Sequence, residues 1–197
     1  MHSSPTLTAF SGAHYIASGT LRVLAPAIKA VVERDPQSQI LIFDDRSGAQ
    51  IDLNLHGTVE EVLRRLPPEE EEMIPEAPEA AAPRSPGRPK LGVVAREITL
   101  LPRHWEWLAG QPGGASVVLR KLVEQAQRDN KDADRQRMAR DASYRFMSAL
   151  AGDLPGFEEA SRALFAGKAE QFHACVADWP HDVREYAKKM AAPSFAA

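Results

Sequence analysis

The sequence has little of several features that define common protein classes. It contains a single cysteine, Cys175, which excludes a disulfide framework and a cysteine-rich metal site within one chain. No run approaches the roughly 20 apolar residues that a membrane-spanning helix needs. The N-terminus, MHSSPTLTAF, lacks the basic and apolar regions of a secretory signal. We therefore expect a cytoplasmic protein with no membrane association.

Motifs of common enzymes and metal sites are also missing. No nucleophile elbow, P-loop or dinucleotide-binding glycine pattern occurs, and the histidines show no HExxH or paired Cys/His spacing. Adjacent Asp44 and Asp45 could bind a cation or act in acid–base chemistry, but in a hairpin loop such a pair more often forms the turn. We expect no metal, no cofactor and no catalytic residues, so an enzyme is the least favoured class.

The net charge of −3 hides an uneven distribution of charge along the chain. Residues 67–83 include six acidic side chains and no basic one, whereas from Arg84 to Arg145 there are thirteen Lys or Arg and seven Asp or Glu. Such a change of sign can separate a part that binds nucleic acid from the rest of a protein.

The distribution of proline predicts how the chain is divided into parts. Seven of the fifteen prolines lie between Pro67 and Pro89, among glutamate, alanine and serine, which predicts an extended linker that buries no apolar surface. The predicted parts are a small α+β domain (1–66), an acidic Pro/Ala/Glu linker ending in a basic arm (67–90), a strand-helix-helix module (91–130) and a helical C-terminal extension (131–197).

The N-terminal domain alternates short apolar runs with turn signals. We predict strands at 6–10, 15–17, 39–43 and 50–55, and helices at 21–33 and after the capping residue Thr58, in the order ββαββα. The loop DDRSG joins the last two strands, and Gly48 in it can adopt a positive φ. In the C-terminal extension, the apolar spacing and the Gly and Pro breaks predict helices at 131–150, 156–165, 168–178 and 181–190.

The module around residues 94–128 changes from a strand pattern to a helix pattern. Val94 to Leu100 is predicted to be a strand, and Pro102 suits the first position of the helix that follows. Ser116 is predicted to cap a second helix. A single strand in so small a unit has unpaired edges, so we expect it to pair with the same strand of a second copy. The expected core of that homodimer is Ile98, Leu100, Trp105, Leu108, Leu119 and Leu122.

At these residues the chain resembles the ribbon-helix-helix family of bacterial repressors and antitoxins. The strings REITL, LPRHWEWL and GGAS followed by VVLRKLV are the matching elements, over about a fifth of the chain. The resemblance implies that a two-stranded ribbon enters the major groove of DNA. It places Ala95, Glu97 and Thr99 at the base-contacting positions, and Gly114, Ala115 and Ser116 in a phosphate-binding turn. Those positions usually carry Arg, Lys, Thr, Asn or Gln, and the acidic Glu97 departs from this pattern.

Over its whole length the chain also resembles a bacterial family defined only as a domain of unknown function (DUF2239). The strings GRPKLGVVAREITLLPRHWEWL and YRFMSALAGDLPGFEEASRALFAG are the basis of this resemblance. The family provides no activity and no catalytic residues that could be transferred to this chain.

The end of the linker is a further candidate for DNA contact. SPGRPK partly resembles a minor-groove arm of the AT-hook type, in which Arg84, Arg88 and Lys90 would enter a narrow, A·T-rich groove. An ordinary basic end of a proline-rich linker is the alternative interpretation.

These patterns lead to one main hypothesis and one rival. We expect a homodimeric DNA-binding protein, a bacterial transcriptional regulator whose N-terminal domain binds a small molecule or a protein. The rival is a protein-interaction module that uses the strand-helix-helix only to dimerise, which Glu97 and the acidic linker favour.

Overall fold

The computed structural model describes residues 6–67, 94 and 96–196. These residues form, in chain order, β1 (Leu7–Ser11), β2 (His14–Gly19), α1 (Leu21–Arg34), β3 (Ile40–Asp44), α2 (Val59–Arg65), α3 (Pro102–Ala109), α4 (Gly114–Asp129), α5 (Lys131–Leu150), α6 (Phe157–Phe165), α7 (Ala169–Cys175), α8 (His181–Ala191) and a short 3-10 helix (Ala192–Phe195). The predicted α+β class is confirmed. Across the described segments, no helix has the length and apolar character needed to span a bilayer.

The chain folds as two compact units. The first unit combines Met1–Glu70 with Asp132–Ala197, and the second is Glu71–Lys131. The division predicted from sequence differs, because it treated residues 1–66 and 131–197 as separate parts. The proline-rich boundary near residue 67 is visible in composition, whereas the return of the C-terminal helices to the sheet depends on contacts between residues far apart in sequence.

The first unit is built on a three-stranded antiparallel sheet in the order β2-β1-β3. The central strand β1 is buried on both faces, so its alternate residues contribute to two different clusters. Leu7 and Ala9 pack with Leu24 and Ile28 of α1 on one face. Phe10 lies on the other face.

That second face of the sheet is covered by the C-terminal helices. Phe146 of α5 is fully buried, and its ring centroid lies 5.5 Å from that of Phe10, 5.1 Å from that of Phe43 and 4.6 Å from that of Tyr186 on α8. A sheet face that carries apolar rings must be covered by another layer of secondary structure. The N-terminal strands and the C-terminal helices therefore share one hydrophobic core.

The prediction of a fourth strand at 50–55 is wrong. Only an isolated bridge between Phe43 and Gln50 extends the sheet there, with Ile51 N donating to Ile42 O at 2.9 Å. The alternating pattern has another cause, since Ile51, Leu53 and Leu55 are partly buried against the α1 side of the sheet. Side chains, and not a neighbouring strand, satisfy two backbone carbonyls of this segment. Lys29 Nζ donates to Leu55 O at 3.1 Å, and the Arg65 side chain donates to Asn54 O at 3.1 Å.

Two local predictions are confirmed, the helix cap at Thr58 and the positive φ of Gly48. Thr58 forms a capping box with Glu61, which fixes the start of α2. Gly48 has φ of +66°, and a Cβ there would lie 2.2 Å from the carbonyl oxygen of Ala142 on α5. Glycine is therefore required at this position both by the backbone conformation and by the close approach of α5.

Asp44 and Asp45 have different roles. Asp44 forms the turn, because its Oδ1 accepts from Ser47 N at 2.7 Å and from Arg46 N at 3.0 Å. Asp45 instead joins the sheet to α8. Its Oδ1 accepts from Thr8 Oγ1 at 2.7 Å and from Tyr186 Oη at 2.6 Å.

The environment of Tyr186 favours its neutral form. Its side chain is almost fully buried, and the hydroxyl donates to the Asp45 carboxylate. Burial and this neighbouring negative charge raise the pKa of Tyr186 above the usual value for tyrosine. This polar network holds α8 on the sheet, and we assign it a structural role.

Candidate nucleic-acid interface

The second unit contains α3 and α4, which form a helical hairpin. Pro102 occupies the start of α3, where its missing N–H leaves no intrahelical bond unmade. Leu108 is 2% exposed, whereas Trp105, expected to be buried with it, is 42% exposed in the single chain. The helix ends at a tight turn in which Gln111 N donates to Leu108 O and Gly114 N donates to Gln111 O, both at 3.2 Å.

The beginning of α4 differs from the prediction. Gly113, with φ of +90°, is the N-cap, and α4 starts at Gly114, which has φ of +74°. The prediction that Ser116 is the N-cap is therefore wrong. Two glycines that tolerate left-handed backbone let the helix start three residues earlier, so Gly114, Ala115 and Ser116 all lie in its first turn.

The first turn of α4 was predicted to bind phosphate. It contains no acidic residue, and no side chain caps the backbone N–H groups at this end of the helix. Gly114 and Ser116 are exposed and Ala115 is partly buried. A phosphate would meet N–H donors and the positive end of the helix dipole there.

Large apolar side chains are exposed on both helices. No residue of α4 is buried, although the helix is amphipathic, and Leu122 and Val123 are 50% and 55% exposed. On α3, Trp107 is 53% exposed in addition to Trp105. Leu119 is partly buried. Leu122 and Trp105 are predicted core residues of a dimer, whereas no interface role was predicted for Trp107.

The predicted strand is not formed by the residues of this segment that the structure describes, 94 and 96–100. Residues 96–100 have no regular secondary structure, and Ile98 is 50% exposed while Leu100 is partly buried. Glu97 and Thr99, two of the predicted base-contacting residues, are exposed. The third, Ala95, lies outside the described residues, as do Arg84, Arg88 and Lys90 of the predicted arm. The strand and its pairing with a second copy remain predictions.

The basic side chains of this unit are a further feature that bears on nucleic-acid binding. Among the described residues of the unit, none of the Lys or Arg side chains forms an ion pair. An open groove along α4 contains two of them, Lys121 and Arg128, with the amide of Gln125 between them. The other lining residues are Gln111, Pro112, Val118 and Leu122. This arrangement places positive charge on one side of α4, while Gln125 Nε2 donates to Asp129 Oδ1 at 2.7 Å and Gln111 Nε2 donates to Trp107 O at 3.3 Å.

Metal-based chemistry has no evident site in the described segments, where no group of three or more His, Cys, Asp or Glu side chains is close enough to bind an ion.

Comparison with known proteins identifies the family. A family model described as an uncharacterized protein conserved in bacteria (DUF2239) matches residues 6–191. The chain belongs to the DUF2239 family. The match includes residues of both units, so the DUF2239 family is defined by both units and not by the helical hairpin alone. No curated protein and no solved structure matches the chain.

Proposed function

We propose that this DUF2239 protein is a homodimeric DNA-binding protein that acts as a cytoplasmic transcriptional regulator in bacteria. The main support is the unpartnered apolar surface of the second unit. Ile98, Trp105 and Leu122 are each 42–50% exposed in the single chain, although they have the strand and helix spacing of core residues.

A second copy would bury this surface. If the 94–100 segments of two chains paired antiparallel, each would gain the hydrogen bonds that its edges lack, and four helices would cover the ribbon. Fully burying a large apolar side chain stabilises by about 1.5–3 kcal/mol, so three half-exposed side chains per chain would contribute several kcal/mol to association.

The same geometry would present DNA-binding groups on one side. Thr99 and Glu97 would point away from the helices, toward the major groove, and the first turn of α4 would approach a phosphate. The unpaired Arg and Lys side chains would add a salt-dependent attraction. The first unit, with its shared sheet-and-helix core, would then be the part that binds a small molecule or a protein.

A second candidate function is dimerisation without specific DNA recognition. Glu97 favours it, because this exposed carboxylate lies at a predicted base-contacting position and repels phosphate. Glutamate can accept a hydrogen bond from cytosine, but Arg, Lys, Asn and Gln make the more common contacts to guanine and adenine.

The experiment that tests both dimerisation and DNA binding uses Leu122→Glu in the full chain. We expect homodimer dissociation constants to rise about 10- to 100-fold, the equivalent of losing one buried leucine, in sedimentation experiments. DNA affinity, measured by anisotropy with mixed genomic fragments, should fall in parallel. Val23→Glu is the matched control, since Val23 is 56% exposed on α1 of the first unit.

The outcomes separate the two candidates. A wild-type dimer that Leu122→Glu dissociates, but that binds no DNA fragment, would support the interaction module and overturn the regulator. If Leu122→Glu leaves association unchanged, the proposed dimer surface is wrong.

A further inference from the structure

The groove along α4 carries positive charge that the described residues leave unpaired. It encloses about 500 Å³, within the range of roughly 300–1,000 Å³ that ligand sites occupy. The ionisable side chains among its lining residues are Lys121 and Arg128, which are both basic and exposed. Neither forms an ion pair or a hydrogen bond with the described residues. Asp129, which follows Arg128, accepts instead from Gln125 Nε2 at 2.7 Å.

The same groove also has an apolar part. Pro112, Val118 and Leu122 line it, and Leu122 is 50% exposed. A nucleic-acid backbone offers phosphate charge but little apolar surface, so it would leave these side chains uncovered. A peptide that carries acidic and apolar side chains together would match both parts of the groove.

The chain itself contains a segment with this combination. Residues 68–79 read PEEEEMIPEAPE, with six glutamates, no basic residue, and Met73 and Ile74 between the glutamates. This acidic segment lies outside the described residues. Its prolines favour an extended backbone, in which residues three apart are separated by about 10 Å. Lys121 and Arg128 are two helical turns apart, which is also about 10 Å, and the glutamate pairs with the matching separation are Glu69 with Glu72 and Glu76 with Glu79.

The acidic segment is long enough in tether to reach the groove. Ile74 precedes Val94, the first described residue after it, by 20 positions, so up to about 60 Å of chain joins the two. The sixteen residues of α4 span only about 24 Å. A tether of this kind gives an effective concentration on the order of millimolar, so a weak contact within the chain is still occupied.

We propose that the acidic segment binds in the groove along α4 of its own chain, with carboxylates facing Lys121 and Arg128 and its two apolar side chains against Leu122. The tether favours this occupant over an acidic segment of another protein. The family match over residues 6–191 includes both the segment and the groove. Lys121 and Arg128 lie almost opposite Leu119 around the helix, so the contact does not require the proposed dimer face to be free.

Cross-linking of the full chain by a carbodiimide tests this contact in the absence of DNA. The reagent activates a carboxylate, which then forms an amide with an amine in contact with it. Mass spectrometry should find Lys121 joined to glutamates of the acidic segment. The yield should fall several-fold between about 0.05 and 0.5 M salt, because salt screens exposed charges. In a mixture of isotope-labelled and unlabelled chains, both linked peptides should come from the same chain.

The matched control moves the amine to another side of the same helix. In the double variant Lys121→Arg and Gln127→Lys, the groove keeps its charge, and the new amine at position 127 lies outside the lining residues. Its yield should be at least about fivefold below that of Lys121 in the wild type, since the tether alone gives both positions similar access to the segment.

Two further variants separate the charged and apolar parts of the contact. Arg128→Glu should lower the Lys121 yield, whereas Arg103→Glu, the same charge change at an exposed position of α3, should leave it unchanged. Met73→Ser combined with Ile74→Ser keeps every glutamate and should lower the yield about threefold or more through lost apolar burial. Circular dichroism checks that each variant retains its helix content.

Several results would overturn the proposal. They are a wild-type chain without Lys121 cross-links, equal yields at positions 121 and 127, cross-links found only between chains, and a yield that the loss of Met73 and Ile74 leaves unchanged. Failure of DNA binding is a separate outcome, because a chain that binds no DNA should still give these cross-links.

Discussion

Replacing Phe146 by alanine tests whether the N-terminal strands and the C-terminal helices form one folding unit. The ring is fully buried and contacts aromatic rings from β1, β3 and α8. Removing a buried phenyl ring costs about 3–5 kcal/mol, from lost apolar burial and the cavity that remains. We therefore expect a large loss of stability even though residue 146 lies far in sequence from the sheet.

The shift in melting temperature follows from the size of the unit. The first unit has 136 residues, which at roughly 2.1 cal/mol/K per residue gives an unfolding entropy near 290 cal/mol/K. Each kcal/mol then lowers Tm by roughly 4 °C. Phe146→Ala should lower Tm by about 10–20 °C in calorimetry.

Hydrogen exchange shows where the destabilisation acts. In Phe146→Ala, backbone amides of β1 and β3 should lose protection together with those of α5 and α8, because all four elements share the core. Phe165→Ala, which removes a ring of the same size that is 48% exposed, should cost only about 1 kcal/mol. If β1 and β3 keep their protection while α5 and α8 lose theirs, the two parts fold separately and the shared-core interpretation is wrong.

Two further predictions concern the first unit. Tyr186→Phe removes the hydroxyl that donates to Asp45 at 2.6 Å and should cost about 1.5–3 kcal/mol in urea unfolding. Because the folded-state pKa of Tyr186 is raised, the stabilisation that its hydroxyl gives the fold should be complete below about pH 10, the ordinary tyrosine pKa, and should decline as the pH rises above it. A difference in unfolding free energy between wild type and variant that does not change above that pH would contradict this. Gly48→Ala should be far more damaging than Gly12→Ala: both glycines have positive φ, but a Cβ at Gly48 would meet the backbone of α5 whereas a Cβ at Gly12 has no atom within 4 Å. Equal losses of Tm in the two variants would contradict the role assigned to that close approach.

Local features were predictable because they depend on neighbours in sequence. The helix at Lys131–Leu150 follows from its apolar spacing and from Gly152 and Pro155 beyond its end. The capping box at Thr58 follows from the glutamate three residues later. The positive φ of Gly48 follows from the turn chemistry of its loop.

Features that depend on distant contacts were not predictable from one sequence. The packing of Phe146 between Phe10 and Phe43 joins residues more than a hundred positions apart, and no local pattern specifies it. In the second unit, Ser116 is a good N-cap by type, yet Gly113 and Gly114 start the helix earlier. The strand predicted around Ile98 is absent from the single chain, where residues 96–100 have no regular secondary structure, and its pairing with a second chain stays a prediction.

The salt dependence of DNA binding tests the central claim most directly. A symmetric dimer in which Arg88 and Lys90 of both basic arms each neutralise one phosphate would release counterions from four phosphates, so the logarithm of the affinity should fall with the logarithm of salt with a slope of about −3.6. Arg88→Ala, present twice in the dimer, should reduce that slope by about 2, whereas Thr99→Ala should leave it unchanged and alter sequence preference. A purified dimer that shows no salt-dependent binding to DNA would contradict the account.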